Sequence, residues 1–171
     1  NLAVADEIAR YALTVAWSRL EPFPAASPEK PRVLLWPLEK ADQAWIILKS
    51  CPSLKPQFVP LSAHPEDLEG IAAGLDGEEP VFVWAGDLAH FPSWRDFALS
   101  LGGRAVLLGT GSPYGLSLCP EAGAAILTYS EVGASLKALG QFMAHPWPPT
   151  GRLPVEIPGV QPQGAGLSRV P

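Results

Sequence analysis

The chain has 171 residues, of which 47% are hydrophobic and 17% are charged, and its formal net charge at pH 7 is −5. A chain of this length fits one domain and can bury roughly 70% of the surface of its unfolded form. The acidic balance, the lack of a Lys/Arg cluster and the lack of an apolar run of about 20 residues argue against nucleic acid and membranes as partners.

The first predicted element is a helix over 2–16, with one apolar stripe formed by Ile8, Ala9, Ala12 and Leu13. A stretch with four prolines, 20–31, follows and is predicted to be a surface loop. Because the chain opens at Asn1 inside this helix, we expect it to be a fragment of a longer protein. No charged n-region with an apolar h-region is visible, which favours a cytoplasmic location.

From Arg32 onwards, short apolar runs alternate with helical patterns. The runs predict five buried strands, at 32–36, 57–61, 80–85, 104–109 and 124–129. Helices are predicted at 41–49, 65–75, 93–101 and 130–143. Pro60 places the second strand near an edge of the sheet, because proline cannot donate to the ladder. This alternation predicts an α/β fold, a three-layer sandwich whose mostly parallel sheet has five or six strands and helices on both faces.

Two of these helices have apolar residues at helical spacing that are expected to face the core. They are Ala44, Trp45 and Leu48 in the first helix after Arg32, and Val132, Leu136, Leu139 and Met143 in the last, which Ser130 is expected to cap. The proline-rich segment 151–159 is predicted to be an edge strand or an extended tail. We expect residues 1–171 to form a single domain.

Ligands of such sheets bind beyond the carboxyl ends of the strands, which selects four loops, 37–40, 86–91, 110–115 and 128–131. In the second loop, Asp87 and His90 can form a hydrogen-bonded pair that moves a proton, or they can cap the loop or contact another domain. In the third, Ser112 and Tyr114 lie in a turn that lacks the third glycine of a dinucleotide fingerprint and the Gly-Lys-Ser/Thr end of a P-loop. We expect this turn to face a neighbouring domain or to be purely structural.

No set of residues predicts a metal, cofactor or nucleophile site. The three histidines are dispersed, and Cys51 and Cys119 form no metal or redox motif and are expected to be buried or half-buried thiols. Glu121 and Glu131 fall near candidate loops, but no local motif marks either as a catalyst. We therefore expect no catalytic residue, no metal and no cofactor in this chain.

Four segments stand out when they are taken in order along the chain. They are Ser112-Pro-Tyr114, Leu127-Thr-Tyr-Ser130, Ala134-Ser-Leu-Lys-Ala-Leu139 and Gly151-Arg-Leu-Pro-Val-Glu-Ile-Pro-Gly159. Together they resemble the last third of family 3 glycoside hydrolases, and most of all the bacterial β-N-acetylhexosaminidase branch. The segment 5–15 is similar to the helix that begins the sandwich domain in that family. The tail departs from the family, since Gln163 and Ala165 stand where arginine and histidine are expected.

The resemblance implies that the chain is the C-terminal sandwich domain of a two-domain enzyme whose catalytic barrel comes first. The implied partners are that N-terminal barrel and an amino-sugar glycoside, and the implied parent reaction is hydrolysis of β-linked N-acetylglucosamine. This chain is then expected to be inactive alone, to support the barrel and to frame one wall of the cleft. The residues expected to contact the substrate or the barrel are Asp87, His90, Ser112, Tyr114 and Tyr129.

Two other interpretations stay open. The first is a free-standing, doubly wound α/β module that binds a small molecule, which requires that no barrel precedes it. The second is an autonomous hydrolase that uses Asp87 and His90 as its acid/base pair.

Overall fold

Six strands form the centre of the structure. The computed structural model describes residues 1–75 and 77–171. The strands are β1 (Thr14–Ser18), β2 (Arg32–Pro37), β3 (Leu54–Val59), β4 (Val81–Trp84), β5 (Ala105–Gly109) and β6 (Ala124–Leu127). They lie in the order β1-β6-β5-β4-β2-β3. Strands β2 to β6 run parallel to one another, and β1 pairs antiparallel with β6.

Five helices flank this sheet, α1 (Leu2–Ala12), α2 (Ala41–Ser50), α3 (Pro65–Ala73), α4 (Pro92–Leu101) and α5 (Gly133–Ala144). Helix α5 packs against α2 and α1, while α3 packs against α4. The β2–α2–β3 and β3–α3–β4 connections run in opposite directions along the sheet, so right-handed crossovers place α2 and α3 on opposite faces. The predicted α/β sandwich is confirmed. No helix in the described ranges is long and apolar enough to cross a membrane.

The core lies on both faces of the central strands. Every residue of β4, β5 and β6 is buried, because parallel strands covered by helices on both faces have no solvent side. The largest fully buried side chains include Trp36, Trp84 and Trp94. Trp45 was expected in the core, but it is 55% exposed on the outer side of α2, where it contacts Phe58.

The start of the chain differs from the helix predicted over 2–16. Helix α1 ends at Ala12, none of its residues is buried, and Ile8 of the expected inward stripe is exposed. Strand β1 begins directly after Leu13, and its first residue, Thr14, pairs with Leu127 of β6. Sheet pairing and full burial of Val15 override the helical pattern here.

Two other elements begin three residues from the predicted start. Strand β3 begins at Leu54, three residues before the predicted start, although its predicted position at an edge of the sheet is confirmed. Helix α5 begins after Val132, which is its exposed N-cap residue and not part of its inward face. The Ser130 hydroxyl accepts a hydrogen bond from the Val132 N–H, so Ser130 organises the turn before the helix.

The C-terminal segment is an extended tail and not a sheet strand. It is fixed by backbone hydrogen bonds between Leu153 and Ala165 and from the Leu167 N–H to the Val15 carbonyl. The second of these contacts covers the outer side of β1. At the other end of the sheet, β3 carries Pro56, which pairs with Leu34 of β2.

Candidate functional site

A crevice of about 570 Å³ lies at the edge of the sheet where the parallel strands end, which we call the carboxyl edge. Its lining comes from the loops after all five parallel strands, with Lys40, Leu61, Asp87, Thr110 and Glu131 as one representative of each. The strand order reverses at this place, because β3 and β4 lie on opposite sides of β2. Such switch points are where open α/β sheets bind their ligands.

Glu131 ties three of these loops together. Its Oε2 accepts hydrogen bonds from Lys40 Nζ at 2.6 Å and Gln43 Nε2 at 3.0 Å, and its Oε1 accepts one from Thr110 Oγ1 at 3.1 Å. Burial by itself raises the pKa of Glu131, but the hydrogen bonds and the charge of Lys40 outweigh it, so the net shift of the pKa is downward. The Glu131 carboxylate is therefore a hydrogen-bond acceptor that connects the loops.

Two glycines keep the floor of the crevice open. A Cβ on Gly86 would lie 2.7 Å from the indole ring of Trp84, and a Cβ on Gly111 would lie 2.6 Å from the Gly86 carbonyl oxygen. Only glycine allows backbones to approach this closely. The Trp84 indole N–H is buried beneath Gly86 and has no hydrogen-bond partner among the described residues.

Tyr129 is the conformationally unusual residue of the crevice. It has a backbone φ of 57°, and of the non-glycine residues that the structure describes it alone has a positive φ. Its hydroxyl is buried and makes no hydrogen bond of standard geometry with the described residues. Burial raises the pKa of Tyr129, and the nearby Thr14 side chain only partly offsets this rise. Backbone strain of this kind, which costs of order 1–3 kcal/mol, concentrates at functional sites.

The Asp87–His90 pair forms as the sequence suggested, although it lies at the outer rim. His90 Nδ1 is 2.8 Å from Asp87 Oδ1, and the His90 side chain is 80% exposed. The Asp87 carboxylate also accepts from the His90 backbone N–H, which is the geometry of a loop cap. Asp87 lines the crevice, while His90 does not.

The turn with Ser112 and Tyr114 lies beside the crevice. The Ser112 hydroxyl accepts a weak hydrogen bond of 3.4 Å from the Tyr114 N–H, at the start of a 3₁₀ turn over Pro113–Leu118. The Tyr114 ring is exposed. Neither residue lines the crevice, so of the five expected contact residues only Asp87 and Tyr129 do.

All four loops selected from the sequence contribute residues to the crevice, together with the loop after β3, which was not selected. Lys40 and Thr110 were inside the selected loops without being singled out, and Trp84 lay in the buried strand predicted over 80–85. The position of these residues could have identified them, since each lies at or just beyond the carboxyl end of a strand. In the described part of the chain, no group of three or more acidic, histidine or cysteine side chains is placed to hold a metal ion.

A second cavity, of about 650 Å³, lies between α1 and the segment after α5. Two of its charged side chains contact neighbours: Asp6 pairs with Lys137, and the Arg10 guanidinium lies 4.5 Å from the Trp147 ring centre. None of its lining residues belongs to the loops that follow the parallel strands, so we regard the crevice as the better candidate for a functional site.

No protein-family model and no curated protein sequence matches this chain. Solved structures do match. A glycoside hydrolase family 3 β-N-acetylglucosaminidase from Paenibacillus sp. str. FPU-7 aligns with a TM-score of 0.68 and 13% identity, over 85% of this chain and 30% of that chain. A fungal multi-domain β-N-acetylglucosaminidase of the same family aligns with a TM-score of 0.72 and 16% identity, over 94% of this chain and 20% of that one.

A β-glucosidase from Listeria innocua, in complex with isofagomine, aligns with a TM-score of 0.69 and 11% identity, over 91% of this chain and 27% of that chain. The chain thus spans less than a third of the length of these proteins. Because the sequence identities are only 11–16%, the similarity shows a shared fold. The chain has the fold that makes up a part of solved family 3 glycoside hydrolases.

Proposed function

We propose that this chain is the C-terminal sandwich domain of a family 3 glycoside hydrolase of the β-N-acetylhexosaminidase type, whose catalytic barrel precedes it in the same polypeptide. The observation that carries the proposal is the fold shared with part of much longer family 3 enzymes, two of which are β-N-acetylglucosaminidases. Four segments and the first helix of the sequence resemble the same family in the same order.

The domain supports the barrel and frames one wall of the cleft, while the chemistry belongs to the barrel. Retaining hydrolysis of a glycoside needs two groups that flank the scissile bond. In the crevice, Glu131 is engaged by Lys40, and Asp87 is held by the His90 side chain and backbone. This arrangement supports a role in binding an amino-sugar glycoside or the barrel, not a role in turnover.

The activity test uses the 171-residue chain and a chromogenic β-N-acetylglucosaminide. We expect no hydrolysis above background from the isolated chain, and hydrolysis from the parent protein that includes the upstream reading frame. Hydrolysis by the isolated chain that His90→Ala abolishes would instead establish the autonomous hydrolase.

One observation favours the second candidate, a free-standing module that binds a small molecule. The crevice lies at the switch point and is bordered by Tyr129, with its positive φ, and by Trp84, whose N–H has no hydrogen-bond partner within residues 1–75 and 77–171. The upstream reading frame separates the two candidates. A barrel-sized coding segment supports the glycoside hydrolase domain, whereas a start codon close to Asn1 supports the free-standing module.

A further inference from the structure

The cavity of about 650 Å³ between α1 and the segment after α5 is a second concave site, separate from the crevice. Its volume falls in the range of about 300–1,000 Å³ that is usual for small-molecule pockets. Helix α1 contributes Glu7, Arg10 and Tyr11 to the lining, while Gln141 comes from α5 and Trp147 from the segment after it. No residue is shared with the lining of the crevice, so the cavity is a candidate for a ligand of its own.

The side chains around this cavity are held in place by contacts with the rest of the fold. The Trp147 ring packs edge-on against the buried Phe142 ring, with 4.9 Å between the ring centres. The Arg10 guanidinium lies over the same Trp147 ring. Thr150 Oγ1 donates a hydrogen bond of 3.1 Å to the Tyr11 carbonyl, which connects this segment to α1. A ligand therefore meets a preformed site, and this lowers the entropic cost of binding.

The charges of the cavity cancel. Asp6 forms an ion pair with Lys137, which leaves one acidic and one basic side chain in the lining, Glu7 and Arg10. Because these two carry opposite charges, the cavity as a whole is neutral at pH 7. A charged ligand would lose hydration on entering and would gain no net Coulomb attraction in return. The cavity is therefore suited to an uncharged ligand.

Hydrogen-bonding groups remain available to such a ligand. The Glu7 carboxylate and the Gln141 amide are exposed and have no hydrogen-bond or ion-pair partner among all residues with described positions. The carboxylate accepts hydrogen bonds, the amide both donates and accepts them, and the Arg10 guanidinium donates them. Ligand hydroxyl groups match this set, because each of them donates one hydrogen bond and accepts others.

Tyr11 supplies a surface against which the ligand packs. Its side chain lines the cavity and is 61% exposed. The face of an aromatic ring carries partial negative charge and attracts the weakly positive C–H groups of a ligand. A sugar ring has C–H groups on its faces and hydroxyl groups around its rim. An exposed aromatic ring near a carboxylate, an amide and a guanidinium is thus complementary to an uncharged sugar.

We propose that this cavity binds an uncharged sugar unit, which packs on the Tyr11 ring and forms hydrogen bonds with Glu7, Arg10 and Gln141. The lining of the cavity by itself indicates this class of ligand. The site goes beyond the proposed function, because it is separate from the crevice and does not depend on a preceding barrel.

Titration of the 171-residue chain with N,N′-diacetylchitobiose, followed by the NMR shifts of the backbone amides, tests the proposal. We expect saturable shifts in α1 and in residues 141–150, with a dissociation constant in the millimolar range. The deacetylated, cationic chitobiose is expected to bind no more tightly, because the cavity is neutral. The absence of saturable shifts with the neutral disaccharide would overturn the proposal, as would a cationic disaccharide that binds at least about tenfold more tightly.

Matched substitutions test the residues. Tyr11→Ala and Glu7→Ala are each expected to weaken binding at least about tenfold, because they remove the packing surface and a charged hydrogen-bond acceptor. Trp45→Ala on α2 and Glu66→Ala on α3 remove an exposed ring and an exposed carboxylate away from the cavity, and both are expected to bind like wild type. All four side chains are exposed, so we expect unchanged urea midpoints. Equal affinities of the cavity variants and their controls would overturn the proposal.

The location of the shifts separates this site from the proposed function. Saturable shifts in 86–91 and 128–131, with none in α1, would place the sugar in the crevice. That result would overturn the second site and support the amino-sugar contact of the proposed function. Shifts confined to α1 and 141–150 support the second site, whether or not the parent protein hydrolyses the chromogenic substrate.

Discussion

Glu131 is the residue on which the shape of the crevice depends. In the sequence it has the position of a carboxylate in the first turn of the helix predicted over 130–143, with no motif around it. In the structure it accepts hydrogen bonds from Lys40, Gln43 and Thr110. We predict that Glu131→Gln lowers the free energy of unfolding at pH 7 by about 1–2 kcal/mol, because it weakens charge-assisted hydrogen bonds. Urea denaturation followed by circular dichroism measures this difference.

The same prediction has a pH dependence with a defined sign. Because the folded state lowers the pKa of Glu131, the stabilisation is present above the unfolded pKa of about 4.3 and is lost as the pH falls through the folded pKa. The difference in the free energy of unfolding between wild type and Glu131→Gln is therefore expected to disappear at low pH. Glu121→Gln, at an exposed position, is the control and should show no difference from wild type at either pH. A difference that persists unchanged at low pH would contradict this account.

The two cysteines are predicted to be unreactive in the native protein. Both are free and buried, as expected from the sequence. Burial raises the pKa of Cys119 to about 11 and also raises that of Cys51, so the thiolate is scarce at pH 8. We expect labelling by a thiol reagent to be at least about tenfold slower in the native state than in denaturant. Rapid labelling of Cys119 without denaturant would show that its segment opens readily.

At the scale of elements, the contact between α2 and α5 depends on a glycine. A Cβ on Gly140 of α5 would lie 2.5 Å from the Ile47 carbonyl oxygen of α2. Alanine normally favours a helix over glycine, but here we predict that Gly140→Ala destabilises the protein by about 1–3 kcal/mol through overpacking. Thermal or urea unfolding measures the change.

Gly133 provides the matched control in the same helix. Nothing lies within 4 Å of a Cβ built at Gly133, the first residue of α5. Gly133→Ala is therefore expected to stabilise the protein by roughly 0.4–1 kcal/mol, since alanine loses less conformational entropy on folding. Destabilisation by both variants would mean that α5 is sensitive to alanine at any position, and not to the close approach at Gly140.

The success of sequence reasoning also varied by element. The strands that became β2, β4, β5 and β6 were predictable because parallel strands buried on both faces leave continuous apolar runs. Strand β1 was not, because Leu13 and Val15 continue the helical spacing of α1 and only the pairing with β6 decides their conformation. The crevice could be located from loop positions, whereas its central contact, between Lys40 and Glu131, joins residues 91 positions apart and leaves no local pattern.

At the scale of the whole molecule, we predict that the 171-residue chain folds as one cooperative unit. Its buried apolar residues form one cluster that includes side chains from every strand of the sheet. Tryptophan fluorescence and far-ultraviolet circular dichroism should therefore report the same urea midpoint. Separate midpoints would show that part of the chain unfolds independently and would contradict a single domain.

The borders of the sheet have a consequence for how this protein behaves when it is separated from any larger assembly. At the β1 edge, the Leu167 N–H of the C-terminal tail donates a hydrogen bond to the Val15 carbonyl. At the β3 edge, Pro56 has no N–H to donate. A foreign strand therefore finds no continuous ladder of donors and acceptors on either side. Edge-to-edge pairing of folded molecules is therefore disfavoured at both flanks, and we expect concentrated solutions of the folded chain to resist aggregation by strand addition.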